Sequence, residues 1–180
     1  MFLIGPMPPP LRHRASYFLP GGSKVKGNSV RKFLNTCATI EKTIAEIYRR
    51  FADSIACDEE LKAIWLKMAK EEDQHALDIG FAARLPHEGT FRGKDLTLHR
   101  AEQLADVTRQ VLDKARKAQY SVQEAVDISL ALEKEFLSVH IASSVEFEQE
   151  TMRNMFRSIV QSEEEHCRAI REYHARNPGD

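Results

Sequence analysis

The sequence is poor in the residues that build cysteine-bound metal sites and turn-rich folds. Its three cysteines, Cys37, Cys57 and Cys167, include no Cys-x-x-Cys pair, which excludes a four-cysteine zinc or iron site within these residues. Glycine and proline number only 8 and 7 among 180 residues. Because tight turns depend on these two residue types, their scarcity disfavours β-sheet architectures with many turns.

The sequence also lacks an excess of charge of one sign and lacks long apolar runs. Lys and Arg number 26 against 27 Asp and Glu, so we expect no nucleic-acid partner, which would require a basic surface, and no binding to membranes. No run approaches the roughly 18 apolar residues of a membrane-spanning helix. Residues 1–4 are too few for a secretory signal, and an odd number of cysteines suits a reducing compartment. We therefore expect a cytoplasmic protein.

Residues 1–28 differ in composition from the rest of the chain. They contain five of the seven prolines and four of the eight glycines, which predicts an extended N-terminal arm. The arm is either a tail without fixed structure or a segment that packs on its own domain or on a second subunit. Residues 29–180 form the second predicted unit, a helical domain.

Apolar residues at steps of three and four predict five helices after the arm. The predicted helices cover about 30–54, 58–85, 96–118, 121–143 and 150–176. Asp58 and the Ser121-x-x-Glu124 pattern are helix-start signals. The helix over 96–118 is rich in Lys and Arg and is expected to lie outside the main core. The pattern predicts an all-α, ferritin-like four-helix bundle with a long crossover, containing an extra helix, between its second and third helices.

Each of the four bundle helices carries a glutamate within its apolar stripe. Burying a carboxylate is costly unless it is paired or bound to a metal. Two of the four are followed three residues later by a histidine, which places a carboxylate and an imidazole on the same helix face. The pattern therefore offers six metal ligands: Glu41, Glu72, His75, Glu133, Glu163 and His166.

An internal repeat strengthens this interpretation. Glu41 and Glu133 are 92 residues apart, and the Glu72-x-x-His75 motif recurs as Glu163-x-x-His166 at an offset of 91. Each half thus supplies one lone glutamate and one Glu-x-x-His motif. Four glutamates and two histidines around two ions are the ligand set of di-iron and di-manganese carboxylate bundles, and oxygen and imidazole ligands suit both metals. A bundle that buries these groups without metal is the alternative.

These motifs, over residues 30–176, resemble the ferritin-like superfamily and, within it, the rubrerythrin-like di-iron proteins. The resemblance implies two iron ions, with manganese possible, held by the six residues. It implies a non-haem di-iron peroxidase that reduces hydrogen peroxide or dioxygen. Because the chain has no four-cysteine iron site, the electrons must come from an external electron-transfer protein or reductant. Phe136 occupies the place of a second carboxylate in rubrerythrin.

Several alternatives remain open from the sequence. Tyr48 either donates a hydrogen bond to a ligand or is a core aromatic residue. His140 is the counterpart of Tyr48 in the second half, and it either acts at the metals or only packs. A ferroxidase or iron-storage protein and a di-manganese catalase-like enzyme are the rival functions. We also expect a homodimer that uses the arm, the crossover or both.

Overall fold

The computed structural model describes residues 27–86, 95–117 and 119–177. Five helices make up this part of the chain: α1 (Gly27–Ser54), α2 (Glu59–Ala82), α3 (Asp95–Ala115), α4 (Val122–Glu146) and α5 (Glu150–Arg176). The predicted all-α bundle with a helix in its crossover is confirmed. The predicted N-terminal arm lies almost wholly outside the described residues, and α1 begins within it, at Gly27.

Local sequence signals set the starts of two helices. The Asp58 carboxylate accepts a hydrogen bond from the Leu61 amide at 2.7 Å and begins α2. Ser121 and Glu124 form a reciprocal capping box at the start of α4, in which the Ser121 amide donates to Glu124 Oε2 at 2.8 Å. Both starts were predicted from the sequence. The predicted second helix ends three residues early, at Ala82, because residues 83–85 form a turn.

The bundle is built from two helix pairs, α1 with α2 and α4 with α5, which also meet where α2 contacts α5. The apolar stripes of these four helices face one another. Leu34 and Phe51 on α1, Trp65 on α2 and Phe156 on α5 are all at most 1% exposed. The Trp65 indole donates to Ser129 Oγ at 3.0 Å and so joins α2 to α4.

The crossover helix α3 packs against α1 and α4. Its buried face consists of Ala101, Leu104, Thr108, Leu112 and Ala115. The expectation that this helix lies outside the main core is therefore wrong, because four of these residues belong to the contiguous apolar core. The helix is amphipathic: Arg109 and Lys114 are exposed, and Arg100 pairs with Glu135 of α4. None of the helices in the described ranges is both long and apolar enough to cross a membrane.

Candidate metal centre

Seven buried side chains from α1, α2, α4 and α5 converge at the centre of the bundle. Within this carboxylate–histidine cluster, three triplets each offer ligand atoms that lie within 4.8 Å of one another. The triplets are Glu41–Glu72–His75, Glu72–Glu133–His166 and Glu41–His140–Glu163. All seven residues are at most 7% exposed. The cluster therefore contains the six residues predicted as ligands and, in addition, His140.

Glu72 lies at the middle of the cluster, between two imidazoles. Its Oε2 is 2.9 Å from Nδ1 of His75, and its Oε1 is 3.0 Å from Nδ1 of His166. The two rings are 6.3 Å apart between centroids. One carboxylate thus presents a separate oxygen beside each histidine, as a carboxylate that bridges two ions would.

Glu133 and Tyr48 connect α4 to α1 beside this pair. Glu133 Oε2 is 3.2 Å from His166 Nδ1, and Glu133 Oε1 accepts a 2.5 Å hydrogen bond from the Tyr48 hydroxyl. The Tyr48 side chain is completely buried. Of the two roles that the sequence left open for Tyr48, the structure therefore places its hydroxyl on a candidate ligand.

Glu163 lies apart from the two triplets that share Glu72. Its Oε1 is 2.6 Å from Nδ1 of His140, and Nε2 of His140 is 3.4 Å from Glu41 Oε1. The predicted residue Glu163 is therefore in the cluster, but it groups with His140 and Glu41. The imidazole of His140, which the sequence left undecided, lies between these two carboxylates.

Burial and mutual repulsion favour the neutral form of three of the four carboxyl groups. Burial raises the pKa of Glu41, Glu133 and Glu163, and the nearby Glu72 carboxylate raises each of them further. Carboxyl groups this crowded in a core need protons or cations to neutralise them. The cluster therefore favours the binding of cations at neutral pH.

The pKa values of Glu72 and His166 shift in the directions that favour the charged forms, because these two side chains pair with each other. Burial acts to raise the pKa of Glu72, but hydrogen bonds with His166 and His75 outweigh it and lower that pKa. Burial likewise acts to lower the pKa of His166, but hydrogen bonds to Glu133 and Glu72 raise it to about 12. At His140, burial and then the nearby His75 lower the pKa to about 3, so this imidazole is neutral.

Glu71 contacts the cluster as well, which the sequence does not predict. Its Oε2 is 2.8 Å from Nε2 of His166, on the side of the ring away from Glu72. Histidine ligands commonly have their second ring nitrogen held by a carboxylate, which fixes the tautomer and the ring orientation. No signal in the sequence identifies Glu71, because the contact depends on how α2 packs against α5.

The donor atoms of the cluster fit hard or intermediate divalent metals. They are carboxylate oxygens and imidazole nitrogens, a set that suits iron and manganese. Burial raises the pKa of the thiols of Cys37 and Cys167, as expected of cysteines that act as small apolar residues and not as thiolate ligands. Four buried atoms of the cluster have no hydrogen-bond partner among the described residues, as expected of atoms that bind a cation: Glu41 Oε1 and Oε2, His140 Nε2 and Glu163 Oε2.

Comparison with known families agrees with this geometry. A family model described as Rubrerythrin matches residues 32–173, a range that includes the whole cluster. The chain belongs to the rubrerythrin family. Membership of the rubrerythrin family implies a di-iron carboxylate protein with oxidoreductase-type activity. No match was found among curated proteins or among solved structures.

Proposed function

We propose that this protein is a non-haem di-iron oxidoreductase that reduces hydrogen peroxide, or more slowly dioxygen, with electrons from an external donor. The observation that carries the proposal is the position of Glu72, whose two oxygens face Nδ1 of His75 and Nδ1 of His166. A bridging carboxylate between two imidazoles favours two neighbouring ions over a single one.

The residues divide naturally between two ions. Glu41, Glu72 and His75 would hold one, and Glu72, Glu133 and His166 would hold the other. Glu163, with one unpaired oxygen, completes the set of six proposed ligands. Two ferrous ions bound here would supply the two electrons that, with two protons, convert one hydrogen peroxide to two water molecules, and the external donor would restore them.

The surrounding side chains hold these ligands in place and keep bulk water away. The Tyr48 hydroxyl fixes the orientation of Glu133, and Glu71 Oε2 holds the Nε2 side of His166. Phe136 and Phe156, both buried, cover the cluster from α4 and α5. A dry, rigid set of ligands limits the side reactions of a reactive oxidant.

Anaerobic loading with Fe(II) tests the proposal. We expect about two tightly bound irons per chain and the consumption of one peroxide per two Fe(II). Turnover should require an added electron donor and should be faster with peroxide than with dioxygen. Uptake of many irons per chain without peroxide consumption would instead support iron storage. Retention of manganese through purification, with disproportionation of peroxide and no need for a reductant, would support a catalase-like enzyme.

Two adjacent glutamates on α5 provide a matched pair of variants. Glu163 is buried in the cluster, whereas Glu164 is exposed. We expect Glu163→Ala to lose iron binding and peroxide consumption and Glu164→Ala to behave like the wild type. Equal behaviour of the two variants would contradict the assignment of Glu163 as a ligand.

A further inference from the structure

The buried atoms without hydrogen-bond partners concentrate at one point of the cluster. They belong to Glu41 on α1, His140 on α4 and Glu163 on α5, three side chains that are at most 1% exposed. Buried polar atoms are normally hydrogen-bonded, so four buried atoms without a partner in one place require an explanation. A cation shared by these residues provides one.

The contacts of His140 define which of its ring nitrogens faces that point. Nδ1 lies 2.6 Å from Glu163 Oε1, which is close enough for Nδ1–H to donate to the carboxylate. In that tautomer Nε2 carries a lone pair and no proton. Nε2 is directed at Glu41 Oε1, 3.4 Å away, which is also an acceptor. Two acceptors that face each other need either a proton or a metal cation between them.

The packing around His140 fixes the ring in this orientation. Phe136 meets it edge-on with centroids 5.0 Å apart, and Phe156 lies against it at 5.4 Å. The ring therefore has little freedom to turn Nε2 elsewhere. A ring nitrogen held by a carboxylate, with the other nitrogen directed at an acidic site, is the usual arrangement of a histidine metal ligand.

We propose that Nε2 of His140 is a third imidazole ligand, which binds an ion together with Glu41, while Glu163 Oε1 orients the ring. The proposal rests on the proposed di-metal function and adds a seventh residue to its ligands. It makes the two ions unequal, because three imidazoles shared between two ions leave one ion with two of them and the other with one.

The internal repeat shows how the two halves differ at this position. Tyr48, the counterpart of His140, presents a hydroxyl donor to Glu133, whereas His140 presents an acceptor nitrogen to Glu41. Hence His140 does not simply repeat the role of Tyr48. The competing arrangement is the other tautomer, in which Nε2–H donates to Glu41 and Nδ1 accepts a hydrogen bond from the protonated carboxyl group of Glu163, without contact to an ion.

Titration with Fe(II) under anaerobic conditions, in competition with a chelator, separates these arrangements. We expect the wild type to bind two ions, and His140→Gln to keep one at wild-type affinity while the second binds at least about 10-fold more weakly. His99→Gln, at an exposed histidine on α3, is the matched control and should bind like the wild type. Two ions at wild-type affinity in His140→Gln would overturn the proposal.

A second measurement uses only the wild type and therefore does not depend on the stability of the variant. In crystals of the Fe(II)-loaded protein we expect an iron at the usual metal–imidazole distance of roughly 2.1 Å from His140 Nε2. Two irons with His140 outside their coordination would overturn the ligand assignment alone. A wild type that binds two irons, one of them at His140, but ignores peroxide would overturn only the proposed function.

Discussion

The hydroxyl of Tyr48 on α1 donates a 2.5 Å hydrogen bond to Glu133 on α4, across 85 residues of sequence. The contact is buried, and its acceptor is a carboxylate, so removing the hydroxyl should cost about 1.5–3 kcal/mol of unfolding free energy. We expect Tyr48→Phe to lower the melting temperature by several degrees, since a chain of this size loses about 2–4 °C per kcal/mol. Calorimetry on the metal-free protein measures this directly.

A second tyrosine serves as the control. The ring of Tyr120 meets Phe51 edge-on at 5.7 Å, at a half-buried position outside the carboxylate–histidine cluster. Tyr120→Phe should change the unfolding free energy by less than about 0.5 kcal/mol. If Tyr48→Phe changes the unfolding free energy as little as Tyr120→Phe does, the hydroxyl of Tyr48 does not hold Glu133.

Two glutamine substitutions should have opposite effects on the metal-free protein. Burial and repulsion by Glu72 destabilise the ionised form of Glu41, so Glu41→Gln should raise the melting temperature. Glu72→Gln should lower it, because the charged oxygens of Glu72 pair with His75 and His166. Thermal unfolding of both variants after metal removal checks the prediction. A shift of the two variants in the same direction would contradict these charge assignments.

The metal-free protein should become less stable as the pH rises. Glu41 and Glu163 have folded-state pKa values raised above 4.5, so their contribution to stability is complete below about pH 4.5 and is lost as the pH rises through the folded-state values. His166, with its pKa raised to about 12, adds a loss above pH 6.5. His140, with its pKa lowered to about 3, opposes this trend only below pH 6.5.

The melting temperature of the metal-free protein should therefore fall by several degrees between about pH 5.5 and 8, since each pKa unit corresponds to about 1.4 kcal/mol. Bound metal replaces the protons on the carboxyl groups, so the loaded protein should melt higher and vary less over this range. Parallel curves for the two forms would argue against metal binding at these carboxyl groups.

Glu71 should act on the metal through His166. The 2.8 Å contact between Glu71 Oε2 and His166 Nε2 fixes the ring from outside, so Glu71→Gln should weaken the binding of one Fe(II) by roughly 10-fold. Chelator competition measures the change, and the exposed Glu164→Gln serves as the control. Unchanged affinity in Glu71→Gln would mean that packing alone orients the ring.

A homodimer remains a prediction about the arm and the crossover. The apolar face of α3 is covered by its own chain, so any contribution of the crossover must come from its other face. We expect light scattering to show a dimer, and deletion of residues 1–25 to weaken it. An unchanged mass and melting temperature after the deletion would show that the arm takes no part in association.

The sequence was sufficient to predict the bundle because the buried positions of the four main helices recur at helical spacing. Capping signals such as Asp58 and Ser121 also act locally and can be read directly. In α3 the spacing is ambiguous: Val107 follows the helical repeat of apolar residues but is 39% exposed, whereas Thr108 is buried. A polar threonine can be buried because its hydroxyl donates to the Ala105 carbonyl of its own helix.

The contacts between helices could not be predicted in the same way. The repeat pointed to Glu41, Glu72, Glu133 and Glu163, since a glutamate within an apolar stripe is unusual. It did not reveal that Glu163 contacts His140, or that Glu71 reaches His166, because both contacts join side chains of two different helices. Periodicity assigns a residue to a face of its helix, and only the packing of that face selects its partner.

Because of the crossover helix, the carboxylate–histidine cluster is covered by more protein on one side than on the other. Since α3 covers α1 and α4, that flank has an additional layer of protein, whereas α2 and α5 meet with no helix of the described chain over them. The least buried member of the cluster, His75, is on α2, and Glu71 on the same helix reaches solvent. We therefore expect a small oxidant, and the electrons of an external donor, to reach the cluster through the α2–α5 flank.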